Sequence, residues 1–177
     1  SHPGSMGEHT ISHWIDSFSG AGHPGTVHGQ QVGVASITMA RLQQKLLSLP
    51  APPTVRSTVV DEAGIRQRYP AAAVEMCLKA SRSKALDTAA CDAFNARLAA
   101  LWPQLRSELQ AMTVPADDLV GHLRAAGGAT TPAELGMAPE DYRAAVLYGR
   151  EIRDRYSFLD LAADMGGMGF IETHKAE

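Results

Sequence analysis

Apolar residues recur every three or four positions along most of this chain, and no stretch alternates convincingly between apolar and polar. Side chains at that spacing share one face of a helix, whereas a half-buried strand needs a period of two. The expected fold class is therefore all-α, a multi-helix bundle. The extreme case runs from His28 to Leu49, where Val32, Val34, Ala35, Ile37, Met39, Leu42, Leu46 and Leu47 cover most of a helical circumference. A helix apolar nearly all round belongs at the centre of its domain. Val34, Ile37 and Leu42 are expected to be closed to solvent, and Pro50, Pro52 and Pro53 stop the helix.

Shorter helices surround it in this reading. Glu8 to about Phe18 forms the first, followed by a Gly/Pro-broken loop over residues 19–25. Asp61 caps a helix through Arg68, and residues 71–80 form another. Leu86 to Leu101 is a helix with Ala90, Phe94 and Leu98 in step, and Pro103 begins the next one after Trp102. Pro115 opens a helix that ends near Gly127 and Gly128. Thr131-Pro132-Ala133-Glu134 marks a short helix, Pro139 to about Tyr156 the last strong one, and Phe158 to Met165 a further turn or two. Residues 1–166 read as one helical domain and residues 167–177 as a tail.

Composition narrows the function classes. With 177 residues and 45% apolar content the chain is long enough to close a core. A net charge of −3 without a dense basic run argues against a nucleic-acid partner. No segment reaches the roughly 20 apolar residues of a membrane span, and no signal peptide opens the chain, so the cytoplasm is the expected compartment. Cys77 and Cys91 lack metal-type spacing and read as reduced, semi-buried thiols.

The chemistry gathers near the start. Four of the seven histidines, His9, His13, His23 and His28, fall within the first 28 positions. His9 and His13 are four apart and leave the same helix face, with Asp16 close to it. A helix, a reversal and a second helix start bring His28 back beside His9, and converging imidazoles suit zinc, iron or nickel. A polar helix face produces the same spacing, so the pattern alone leaves both readings open.

Two longer motifs contain these histidines. Ser1-x-Pro3-x-Ser5-x-Gly7-Glu8-His9-x-x-Ser12-His13 resembles the stretch that opens the helical half of glycerol-1-phosphate dehydrogenases, and Val27-His28-Gly29-x-x-Val32-Gly33-Val34-Ala35 is similar to the segment that follows there. Pro132-x-Glu134-Leu135-Gly136 and Ile152-Arg153-Asp154-Arg155-Tyr156-Ser157-x-Leu159-Asp160-Leu161 resemble that family's closing motifs, so the likeness runs from residue 1 to about 166. The wider relatives are glycerol dehydrogenase, iron-containing alcohol dehydrogenases and dehydroquinate synthase.

The resemblance implies that His9 and His28 bind a divalent metal and that His13 faces the substrate and handles its proton. It implies a small phosphorylated polyol or ketone as substrate: dihydroxyacetone phosphate, reduced to sn-glycerol 1-phosphate. Glu8 is expected to support the site without binding metal, and Arg153, Asp154 and Arg155 to form a charge cluster that holds the fold. His2 departs from the arginine usual after the first serine, which puts that arginine's contacts in doubt. In such enzymes NAD(P) and a third, aspartate ligand come from an N-terminal nucleotide-binding domain. The chain shows no βαβ pattern with a G-x-G-x-x-G turn, so it reads as a fragment of a longer enzyme in preference to a split subunit or a truncated relative, inactive alone, and compatible with a homo-oligomer. The rival readings are a dehydroquinate synthase-like cyclase domain and a helical metal-binding or interaction module without turnover.

Overall fold

The computed structural model describes residues 6–166; the expected tail at 167–177, and Ser1, Pro3 and Ser5 of the opening motif, lie outside the described residues. Within them every regular element is helical, in the order α1 (Gly7–Phe18), α2 (His28–Leu47), α3 (Glu62–Arg68), α4 (Ala71–Ser83), α5 (Thr88–Met112), α6 (Ala116–Ala125), α7 (Pro139–Tyr148) and α8 (Phe158–Asp164). Short 3-10 turns occupy Gly20–Gly22, Ala133–Leu135 and Gly149–Ile152. No helix of the described residues is long and apolar enough to cross a membrane.

Helix α2 is central because two separate apolar clusters cover it. One side carries Val34, Ala35, Met39, Leu42 and Leu46 into the main core with Ile11, Trp14 and Ile15 of α1, Leu78 of α4 and Leu159 of α8. The other side carries Ile37 and Ala40 against Ala116, Leu119, Val120 and Leu123 of α6. Val34, Ile37 and Leu42 are all buried, as their spacing required. Burial of each such side chain is worth about 1.5–3 kcal/mol.

Local chemistry sets most helix ends. The Asp61 carboxylate accepts the Gly64 N–H at 2.9 Å to start α3. Ser157 and Asp160 form a reciprocal capping box at α8. Thr131 and Glu134 pair in the same manner, through Glu134 N–H to Thr131 Oγ1 at 3.2 Å and Thr131 N–H to Glu134 Oε2 at 3.1 Å. Two boundaries differ from the sequence reading by more than a helical turn. Helix α5 continues through Pro103 instead of restarting there. Pro103 and Ala99, whose carbonyl loses its helical partner, are both exposed, so that carbonyl is open to solvent. Helix α7 ends at Tyr148 and tightens into a 3-10 turn, not a helix to Tyr156. A Cβ on Gly149 would lie 3.3 Å from the Thr10 carbonyl oxygen, so this turn packs directly on the α1 backbone.

Buried polar contacts tie distant segments together. Trp14 Nε1–H donates to Tyr69 Oη at 3.0 Å, and Tyr69 donates to the Tyr148 carbonyl at 3.1 Å. Thr38 and Tyr142 hydroxyls meet at 2.7 Å, joining α2 to α7. Lys84 Nζ lies 2.6 Å from Asp160 Oδ1 with both side chains almost fully buried, and Arg68 reaches Glu151 at 2.9 Å. Burial pulls the Lys84 ammonium below its ordinary range despite the attraction of Asp160. These buried pairs hold the closing segment, while Arg153 and Asp154 of the expected 153–155 cluster are exposed and Arg155 is half-buried.

Two measurements check this packing. Asp160→Ala strips the partner from buried Lys84 and removes the α8 capping box, so unfolding free energy should fall by about 3–5 kcal/mol, read as a lower urea midpoint at unchanged slope. A loss under about 1 kcal/mol would mean the pair does not hold the fold. Cys77 is fully buried, and desolvation, with the charge of Glu151 adding to it, pushes its thiol up to about 11. A thiol reagent at neutral pH should therefore label Cys77 only after denaturation.

Candidate metal centre

Helix α1 displays His9, His13 and Asp16 along one face, because positions i, i+4 and i+7 stack on a 3.6-residue turn. The loop over 19–27 reverses the chain, and α2 begins at His28 against that face. Three imidazoles converge there. The His28 ring centroid lies 5.6 Å from that of His9 and 4.9 Å from that of His13, while His9 and His13 are 6.4 Å apart. A nitrogen–metal bond of about 2.1 Å puts a ring centre roughly 3 Å from the ion, so rings sharing one ion sit about 5–6 Å apart. The donor set and its spacing fit a divalent cation.

The carboxylates refine the picture. His9 Nδ1 lies 3.1 Å from Glu8 Oε1, and His28 Nδ1 lies 3.0 Å from Asp16 Oδ2. A ring whose Nδ1–H is held by a carboxylate keeps its Nε2 lone pair for a metal, an arrangement common to metal-binding histidines. Glu8 thus holds the His9 ring at its Nδ1. Asp16 does more than share the face: with His13 and His28 it forms a group in which one donor atom from each residue lies within 4.8 Å of the others, an arrangement that could hold a metal ion. His9 stands outside that tightest set while its ring faces the same space.

His23 is a loop residue here. Its Nδ1 accepts the Gly25 N–H at 3.0 Å and its Nε2 contacts Asp16 Oδ1 at 3.2 Å, so both nitrogens are engaged. Spacing did not reveal Ser12 and Gln31, both fully buried beside His28. Their one sequence signal was register: Gln31 follows His28 by three on α2, and Ser12 precedes Asp16 by four on α1.

Electrostatics separate the members. Burial, then the positive charge of Arg153 and the neighbouring rings of His28 and His9, lower His13 below the usual histidine value, against an opposing pull from Asp16. Burial alone would raise Asp16, but hydrogen bonds from His23, His28 and Gln31 outweigh it and hold the carboxyl below its ordinary value. His13 is therefore a neutral imidazole and Asp16 a carboxylate near neutrality.

The folded chain binds the His13 proton more weakly than the unfolded chain, so protonation there favours unfolding. The metal-free protein should lose stability as pH falls from about 6.5 through the lower folded value. His13→Gln should flatten that slope in denaturant titrations, and a ring midpoint above 6.5 by NMR would contradict the geometry.

No protein-family model, curated protein or solved structure matches this chain.

Proposed function

We propose that this chain is the metal-carrying helical unit of an NAD(P)-linked polyol-phosphate dehydrogenase, reducing dihydroxyacetone phosphate to sn-glycerol 1-phosphate. One observation carries the metal reading: two histidines 19 residues apart, on different helices, face each other at 5.6 Å, each with a carboxylate on its Nδ1. The motifs around them, Glu8-His9-x-x-Ser12-His13 and His28-Gly29, support the choice of reaction.

His9 and His28 would hold zinc, nickel or iron, and such an ion supplies Lewis-acid polarisation of a ketone oxygen. His13, 4.9 Å ring to ring from His28, stands beside that position. Its lowered proton affinity makes it a neutral hydrogen-bond donor that passes a proton on, rather than a standing imidazolium. In this reading hydride comes from NAD(P)H held by a nucleotide-binding unit, and so does the remaining metal ligand. The closeness of His13, Asp16 and His28 favours a second reading, a helical metal-binding module without turnover.

Zinc affinity of the 177-residue chain and turnover after joining it to a nucleotide-binding unit test the proposal. His9→Ala and His28→Ala should each weaken zinc binding by more than about a hundredfold and abolish reduction of dihydroxyacetone phosphate. His13→Ala should keep zinc and lose about a hundredfold in kcat. Zinc binding without turnover in the joined protein would leave the second reading; full activity in His28→Ala would remove the site.

A further inference from the structure

Behind His28 lies a closed set of hydrogen bonds whose donors can be assigned without choice. Gln31 Nε2 lies 3.0 Å from Asp16 Oδ1 and 3.2 Å from the Thr26 carbonyl oxygen. Both are acceptors, so this end of the side chain must be the amide nitrogen, and Oε1 faces the other way. Oε1 lies 2.9 Å from Ser12 Oγ, which therefore spends its only hydrogen on Gln31. Ser12 Oγ is also 2.9 Å from His28 Nδ1 and has only a lone pair left to offer there. Asp16 Oδ2, 3.0 Å from the same nitrogen, is a carboxylate oxygen and likewise accepts. A nitrogen facing two acceptors must carry the proton.

We propose that Gln31, acting with Ser12 and Asp16, locks His28 in the Nδ1–H tautomer, so that Nε2 is the single lone pair the ring presents to a cation. Gln31 and Ser12 are then positioning residues that touch no metal. The inference deepens the metal reading above and rests on it for its purpose, but not for its geometry. In water a free imidazole exchanges between tautomers, and the wrong one turns an N–H toward the ion. Ser12 and Gln31 are fully buried, which shields the bond between them from competing water and fixes the direction of the Ser12 hydroxyl.

The test reads the tautomer and the affinity separately. Long-range 1H–15N correlation spectra of the metal-free chain, taken at about pH 8 where histidine is neutral, should show His28 as Nδ1–H. Gln31→Met keeps the length of the side chain but frees the Ser12 hydroxyl to donate to Nδ1. It should mix the tautomers and weaken zinc binding about 10–100-fold. Because Gln31 is fully buried, Asp16→Asn at the surface serves as the second variant, with the same expected direction. Circular dichroism identifies folded variants. An Nε2–H tautomer in the parent chain overturns the proposal. So does a folded variant pair that keeps both the parent tautomer and the parent zinc affinity. An Nδ1–H tautomer in a parent chain that binds no zinc supports the lock and removes the metal reading.

Discussion

Helix α2 has apolar side chains on most of its circumference, so exposing any flank of it to water is costly. The chain meets that constraint by placing α1, α4 and α8 on one side and α6 on the other. The candidate centre follows from the same packing. Once Val34 and Ala35 of α2 share the main core with Ile11 and Ile15 of α1, the first turn of α2 emerges beside the outer face of α1. His28 then meets His9, His13 and Asp16.

Polar residues at the edge of this interface convert packing into chemistry. Ser12 and Gln31 are buried where two apolar helices meet, a placement that is costly unless every donor and acceptor finds a partner. Both do, with each other and with Asp16, Thr26 and His28. A fully satisfied polar set in a low-dielectric setting is stiff, and stiffness is what a metal-binding imidazole requires. His13 differs because burial, and then the charge of Arg153, brought close by the 3-10 turn that Gly149 allows against α1, disfavour a proton on the ring. One face of one helix thus offers groups of two characters, set by their neighbours rather than by residue type.

The closing segment answers to a different interaction. Lys84, just after α4, and Asp160 on α8 meet in the interior, next to Arg150 and close to Asp164, which accepts hydrogen bonds from Thr58 and Tyr156. Such charges are tolerated because they arrive paired; each alone would be strongly unfavourable. They pin the turn that carries Arg153, linking the far end of the chain to the environment of His13.

Much of this was legible in the residues themselves. A 3.6-residue period, proline stops and side-chain caps at Asp61 and Thr131 depend on neighbours close in sequence, so they set helix identity and most ends. The pairing of His9 with His13 on one face is likewise local. The limits of that legibility are physical. Whether Pro103 breaks α5 depends on whether water can reach the orphaned carbonyl, and where α7 yields to a 3-10 turn depends on how closely Gly149 approaches α1. Asp16 stood on the right face in sequence, but that it holds His28 required the reversal over residues 19–27. Gln31 looked like any polar residue on a buried helix until α1 brought Ser12 against it. The sequence by itself determined which segments are helices and which face carries the histidines, because both follow from backbone periodicity. Only the tertiary structure decided which nitrogen of His28 carries the proton, because that depends on hydrogen bonds between residues 12 to 19 positions apart.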